Sequence, residues 1–237
     1  MIRKYWQLIG LMSIAAIAVV SCNRPQPKVT TSPSSTQSPI LLPTPKDVWM
    51  TEFQQINGTP YLYAPIYVAK EERKSILRQI KSGSYEGDKS DSYNIDIRNY
   101  MFVHRDNLSG SKLLSSNNAR LLNMEQIGEV APPEKIATDP SRSNWIKKVT
   151  TLWYVKVTAD TNGDKVLDDH DRKSIAISDP SGANYTEVIK DIDKIIMVYP
   201  KGINQRLVIY SSGNKRFVAD INLPTRQAKI KELPSIE

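Results

Sequence analysis

Cysteine, histidine and glycine are scarce in this chain of 237 residues, which contains one Cys, two His and ten Gly. A single thiol excludes an intramolecular disulfide. With two histidines, no Gly-x-Ser-x-Gly and no phosphate-binding loop, the common hydrolase and nucleotide-binding templates have no residues to map onto. We therefore expect a non-catalytic protein. One enzyme class stays open, a hydrolase that uses paired carboxylates, because the spatial separation of Asp and Glu side chains is invisible in a sequence.

Charge of one sign is only slightly in excess, with 32 Lys and Arg against 25 Asp and Glu. The chain has no block of Lys and Arg interleaved with aromatic residues, which is the pattern that follows a phosphate backbone. We therefore predict that it does not bind nucleic acid. A weak attraction to anionic lipid or glycan surfaces fits the modest positive balance better.

The first 22 residues have the organisation of an export signal. Arg3 and Lys4 precede an apolar run from Leu8 to Val20, which is shorter than the roughly 20 residues that a membrane-spanning helix needs. The run ends in Val19-Val20-Ser21-Cys22, which resembles the lipobox of bacterial lipoproteins. The alternative is an uncleaved N-terminal anchor with an incidental cysteine.

The lipobox resemblance implies that residues 1–21 are removed and that Cys22 carries acyl chains that attach the protein to the membrane of the cell envelope. The residue after the cysteine is Asn23, whereas the family's inner-membrane retention signal is Asp, so the resemblance favours the outer membrane. Several acyl chains on one residue hold a protein firmly, because each buried CH₂ adds about 0.8 kcal/mol.

Residues 22–46 are rich in Pro, Ser and Thr and contain no Gly. Such a composition favours extended, polyproline-like conformations and cannot bury a core. We predict a semi-rigid tether over 22–46, followed by one mostly β domain over 47–237.

Alternation of apolar and polar residues with period two dominates this domain and predicts an antiparallel meander. The predicted strands lie near Tyr61–Val68, Tyr93–His104, Val149–Ala159, Lys173–Ser178, Asn184–Ile189, Lys194–Tyr199, Arg206–Ser211 and Phe217–Leu223. Tight turns that use Gly or Pro are predicted at 179–182, 200–202 and 211–214, and long surface loops at Gly83–Ser92 and Ala131–Ser143. One short amphipathic helix is predicted at Glu71–Lys81. Three segments, 99–106, 174–179 and 216–222, each run from an apolar strand into a polar turn. They resemble the blades of TolB-like β-propellers, and the resemblance implies propeller-like blades. The alternatives are a β-sandwich or an irregular antiparallel sheet.

The sharpest motif is the stretch from Asp160 to Asp171, DTNGDKVLDDHD. Oxygen donors at positions 1, 3, 5, 9 and 12 of a twelve-residue loop suit a hard cation, which takes six to eight oxygen ligands. The stretch resembles the calcium loops of EF-hands and dockerins. Carried over by position, this resemblance implies a calcium site with six candidate ligands: Asp160, Asn162, Asp164, the Val166 carbonyl, Asp168 and Asp171.

Two residues depart from the calcium-loop pattern. Lys165 stands where these loops place Gly, in a left-handed conformation that costs other residues about 1–2 kcal/mol. Asp171 replaces the longer Glu. The flanking residues predict strands, so we expect a loop between two strands and not a helix-loop-helix. The alternative is an acidic turn that binds no specific ion.

The function that these features indicate is a membrane-tethered, non-catalytic module, with calcium as a structural ion. A spacer that holds a β domain away from a membrane suits the binding or assembly of an envelope protein or glycan. The sequence does not choose between these partners.

Overall fold

The computed structural model describes residues 39–68, 96–130 and 146–235, and all regular structure in these ranges is β-strand. The thirteen strands are β1 (Val48–Met50), β2 (Gln54–Gln55), β3 (Tyr61–Val68), β4 (Asp96–His104), β5 (Gly110–Lys112), β6 (Arg120–Val130), β7 (Ile146–Val157), β8 (Lys173–Ser178), β9 (Thr186–Ile192), β10 (Lys194–Pro200), β11 (Gln205–Ser212), β12 (Lys215–Asn222) and β13 (Gln227–Glu232). The prediction of a mainly β chain is confirmed. The predicted helix at Glu71–Lys81 lies outside the described residues.

The described strands form three consecutive antiparallel sheets, and each is a meander. In the first sheet the order is β1-β3-β4-β5, with β2 also paired to β3. The second sheet has the order β6-β7-β8-β9, and the third has the order β10-β11-β12-β13. Successive four-stranded meanders are the organisation of propeller blades. The predicted antiparallel, propeller-like architecture is therefore the one observed.

The three similar segments of the sequence occupy equivalent strands. They fall on β4, β8 and β12 and the residues just after them, and each of these strands is the third along its sheet. The weak repeat in the sequence thus marks the same structural position three times. This is expected when each repeat is one sheet that packs on its neighbours.

The central hairpin, β7 and β8, is buried on both faces. Trp153 and its registered partner Ile177 belong to a core cluster shared with the third sheet. Tyr154 and its partner Ala176 belong to the cluster shared with the first sheet. Successive side chains of a strand point to opposite faces, so a strand with cores on two sides loses its polar alternation. The second sheet therefore joins the other two.

A chain of tyrosines fills the space between the first and second sheets. The Tyr154 ring lies 6.1 Å from that of Tyr100 and 5.9 Å from that of Tyr185. Burial raises the pKa of Tyr154 well above its ordinary value, although its hydrogen bond to Ser178, with 3.0 Å between the two oxygens, acts in the opposite direction. Burial likewise raises the pKa of Tyr100. These tyrosines are core residues that stay protonated.

Sequence periodicity missed β6 and β13. The pairing of β6 with β7 shifts register at three points, between Leu121 and Asn123, between Ile127 and Gly128, and between Glu129 and Val130. Each shift breaks the period-two pattern that reveals a strand. The edge strand β13 is almost wholly exposed, so its composition is polar. Its place in the sheet is decided by pairing with β12.

The predicted tight connections contain glycines in the left-handed region. Gly182 and Gly202 both have φ 79°, and Gly213 has φ 59°. A Cβ added at Gly182 lies 2.5 Å from the Phe102 ring, whereas at Gly202 it meets nothing within 4 Å. Gly182 is therefore required for packing between the first and second sheets as well as for its dihedral angle.

This contrast yields a matched test. Gly202→Ala should cost about 1–2 kcal/mol, the penalty for a left-handed non-glycine residue. Gly182→Ala carries the same penalty and in addition displaces Phe102, so we expect a further 1–3 kcal/mol, roughly the cost of overpacking a core. Urea unfolding of the two variants measures the difference. Equal midpoints would show that Phe102 moves aside freely.

Candidate loop site between the two central strands

The loop from Asp160 to Asp171 connects β7 to β8 at one end of the central hairpin, where Val157 pairs with Lys173. The flanking elements are strands, as the sequence predicted. The hairpin holds the two ends of the loop together, so residues ten or eleven positions apart in the chain are neighbours.

Asp160, the first predicted ligand, is 1% exposed. Its Oδ1 accepts a hydrogen bond from the Gly163 N–H at 2.6 Å, and its Oδ2 accepts one from the Lys165 N–H at 2.8 Å. The Asp160 backbone exchanges two hydrogen bonds of 3.0 Å with that of Ile40. A residue of the predicted tether segment therefore pairs directly with this loop.

Asn162 and Asp164 build two successive Asx turns. The Asp164 N–H donates to Asn162 Oδ1 at 3.0 Å, and the Val166 N–H donates to Asp164 Oδ1 at 2.8 Å. Within the second turn Lys165 adopts φ 65°, the left-handed conformation for which calcium loops use glycine. Side-chain acceptors of this kind curl a short loop and tolerate such dihedrals.

Asp171, the last predicted ligand, closes the loop and is 0% exposed. Its Oδ1 accepts hydrogen bonds from the Thr161 N–H at 2.6 Å and the Thr161 hydroxyl at 3.2 Å. Its Oδ2 accepts one from the Asp168 N–H at 3.0 Å. One carboxylate thus ties the first residues of the loop to the last. A buried carboxylate needs such donors, since an unpaired buried charge is costly.

Two side-chain cations bind the loop's carbonyl oxygens. Lys173 Nζ, on a side chain 4% exposed, donates to the carbonyls of Asp169 at 2.6 Å, Asp171 at 3.0 Å and Asp193 at 2.9 Å. Arg120 Nη1 donates to the Leu167 carbonyl at 2.6 Å. Sequence reasoning missed both residues, because they lie outside the motif. The alternation of β8 places Lys173 under the loop.

The candidate ligands of the loop are oxygen atoms, which suit a hard cation, but their side chains do not converge on one position. All six candidate ligands offer oxygen, and a carboxylate oxygen that accepts one N–H keeps a second lone pair. Within the described residues, however, no three His, Cys, Asp or Glu side chains form a cluster that holds a metal ion. A calcium ion would therefore need the Asn162 amide oxygen and the Val166 carbonyl as ligands in addition to the carboxylates.

The two histidines also have structural contacts. The His104 ring packs edge-on against Tyr61 with centroids 5.0 Å apart, and its Nδ1 accepts the N–H groups of Asp106 and Asn107 at 3.3 and 3.4 Å. The His170 side chain is 81% exposed, and its Nδ1 lies 3.1 Å from Asp168 Oδ1.

Asp168 has a carboxyl group that favours its ionised form. Partial burial acts to raise its pKa, but the backbone N–H and ring of His170, together with nearby Arg120, act to lower it. The net shift of the pKa is downward. A general acid at neutral pH needs the opposite shift, so this carboxyl is poorly suited to that role.

Cys22, the predicted acylation site, lies outside the described residues, as do the predicted surface loops at Gly83–Ser92 and Ala131–Ser143. The described ranges contain no helix that is long and apolar enough to cross a membrane.

Comparison with known proteins adds no family. No protein-family model matches the chain, and no curated protein does. Among solved structures, the β-propeller domain of the Trilobed protease from Pyrococcus furiosus is similar with a TM-score of 0.34 at 9% identity, over 81% of this chain and 44% of that one. A luciferin-regenerating enzyme has a TM-score of 0.31 at 13% identity, over 78% of this chain and 60% of that one. The chain thus spans about half the length of these structures.

The lowered pKa of Asp168 predicts a pH dependence. Because its pKa is lower in the folded than in the unfolded chain, its ionised form stabilises the fold above the unfolded value of about 4. That stability is lost as the pH falls through the folded pKa. Asp168→Asn should therefore unfold more easily at neutral pH and lose less stability on acidification. Urea titrations at several pH values measure both effects. Asp47→Asn, at an exposed position before β1, is the control and should keep the wild-type profile.

Proposed function

We propose that this chain is a lipid-anchored, non-catalytic module of the bacterial cell envelope, whose propeller-like β domain binds or helps to assemble an envelope protein or glycan. The observation that carries the proposal is the run Val19-Val20-Ser21-Cys22, which ends an apolar segment and contains the chain's one cysteine. The Pro-rich tether that follows would hold the domain away from the bilayer. Asn23 favours the outer membrane.

The uses of the polar side chains support a non-catalytic role. Asp160 and Asp171 accept backbone N–H groups with both carboxylate oxygens. His104 accepts backbone N–H groups, and His170 contacts Asp168 on the surface. Lys173 donates to three backbone carbonyls. Side chains used in this way brace a fold.

We further propose that calcium binds the loop and braces the central hairpin. Support comes from the spacing of the oxygen donors and from the left-handed Lys165, whose φ is 65°. The curled loop already brings its first and last carboxylates to the same hairpin end through Thr161. A calcium ion would draw the carboxylates together and offset their repulsion. Extracytoplasmic calcium modules have dissociation constants of about 10⁻⁴–10⁻³ M.

Calcium should therefore raise the melting temperature. At a calcium concentration about a hundred times the dissociation constant, binding adds about 2.7 kcal/mol, equivalent to several degrees for a domain of this size. Magnesium should do much less, because it demands a tighter octahedron and keeps its water. Asp164→Ala should abolish the shift, whereas Asp169→Ala should keep it. Differential scanning calorimetry in calcium, magnesium and chelator provides the measurement.

Lys165 offers a second arm of the same experiment. Lys165→Gly removes a positive charge and a left-handed strain from the loop, so it should strengthen the calcium response. Leu108 has φ 58° and is 78% exposed, away from the loop. Leu108→Gly relieves a similar strain and should leave the calcium response unchanged. Identical melting curves in calcium and chelator for the wild type would reduce the site to an acidic turn.

The anchor is tested separately. Cys22→Ala should release the protein from membranes or leave it unprocessed, since the acyl chains supply the attachment. Mass spectrometry of the wild-type protein should show an acylated Cys22 as its first residue. An unmodified cysteine in the membrane-extracted protein would contradict the proposed anchor.

A further inference from the structure

The third sheet has one face turned away from the core. Val208 and Ala219, a registered pair of β11 and β12, are 0% exposed and face the second sheet. Because side chains alternate along a strand, the neighbouring rows face the opposite way. We call this opposite side the outer face. Two rows of this outer face cross the four strands from β10 to β13. The first row is Met197, Ile209, Val218 and Lys231. The second row is Tyr199, Leu207, Asp220 and Lys229.

The outer face is apolar where a solvated sheet face would be polar. Tyr199 is 55% exposed and Met197 is 41% exposed. Leu207, Ile209 and Val218 are half-buried and continue the apolar surface across β11 and β12. Within the described ranges, residues of the second sheet pack on the inner face of this sheet, in the shared core. An antiparallel sheet usually places polar residues on its solvated side, so a contiguous apolar strip there indicates an interaction surface.

Basic residues border this strip. Lys229 and Lys231 lie along its β13 side, and Arg216 belongs to the next row of the same face. The one acidic residue of the two rows, Asp220, pairs with Lys201 at 2.7 Å. Residues 194–235 contain eight Lys or Arg and two Asp or Glu. The excess of positive charge in the chain therefore lies largely on its last sheet.

We propose that the outer face of the third sheet binds an anionic lipid surface. Lysines around an apolar strip that contains Tyr and Met match the interface of a bilayer, where amphipathic side chains bury their apolar parts and ammonium groups remain at the headgroups. A second copy of the chain fits poorly, because its own basic border would face this one. This contact goes beyond the proposed lipid anchor and does not require it.

The accessibility of lysines tests the inference. The full-length protein is mixed with vesicles of phosphatidylcholine alone or with phosphatidylglycerol, and acetylation of each lysine is followed by mass spectrometry. The acetylation rates of Lys229 and Lys231 should fall about fivefold or more with the anionic vesicles, since one lysine gains roughly 1 kcal/mol at an anionic surface. High salt should restore these rates. Lys147 and Lys148, exposed on the second sheet, are internal controls and should not change.

A pair of variants separates this face from other apolar residues. Met197→Ser combined with Tyr199→Ser should abolish the protection of Lys229 and Lys231. Val48→Ser combined with Met50→Ser changes two residues of the first sheet that are 38% and 47% exposed, and it should keep the protection. Circular dichroism of each variant confirms that it is folded before the vesicle measurement.

Three outcomes would overturn the inference. Unchanged acetylation in anionic vesicles means that the face does not bind lipid. Equal protection by soluble polyglutamate means that it recognises acidic charge in general. Protection that rises with protein concentration in the absence of vesicles means that the occupant is a second copy. An unacylated Cys22 would leave the protection of Lys229 and Lys231 by anionic vesicles intact. It would change only the attachment of the protein to zwitterionic vesicles. The proposed lipid anchor and the proposed lipid-binding face can therefore fail separately.

Discussion

The burial of the β7–β8 hairpin on both faces is the constraint on which the rest of the described structure depends. Trp153 and Tyr154 are adjacent in sequence, yet they enter different cores, one shared with the third sheet and one with the first. A hairpin in this position leaves no side free for water, so its polar groups need protein partners. Tyr154 finds Ser178 for this purpose, and the end of the hairpin is closed by a loop that satisfies itself.

Side chains of both charges stabilise that loop through hydrogen bonds to its backbone. The carboxylates of Asp160 and Asp171 accept backbone N–H groups, while Lys173 and Arg120 donate to the loop's carbonyls. The proposed calcium ion would act on the electrostatic repulsion among the carboxylates more than on the course of the backbone. Its effect would be greatest on the stability of the central hairpin.

The third sheet differs from the second in having one covered face. The centre of its inner face, at Val208 and Ala219, is fully buried, whereas its outer rows expose Met197 and Tyr199 beside lysines. The second sheet packs through both of its faces, so the third sheet, unlike the second, has an apolar face available for a partner. The proposed membrane anchor and tether would keep such a face within reach of lipid. Ile40, which pairs with Asp160, brings the end of that tether segment to the loop.

The sequence alone determined the features whose causes are local. Alternation predicted β8 and β11 within a residue of their observed bounds, and the turn residues predicted the positive φ of Gly182 and Gly202. The spacing of acidic residues located the loop. Only the tertiary structure decided that β6 is a strand, because three register shifts hide its periodicity, and that Lys173 lies under the loop. It also decided which face of the third sheet is left uncovered by the other described strands, since burial depends on the neighbours that a strand meets and not on its own residues.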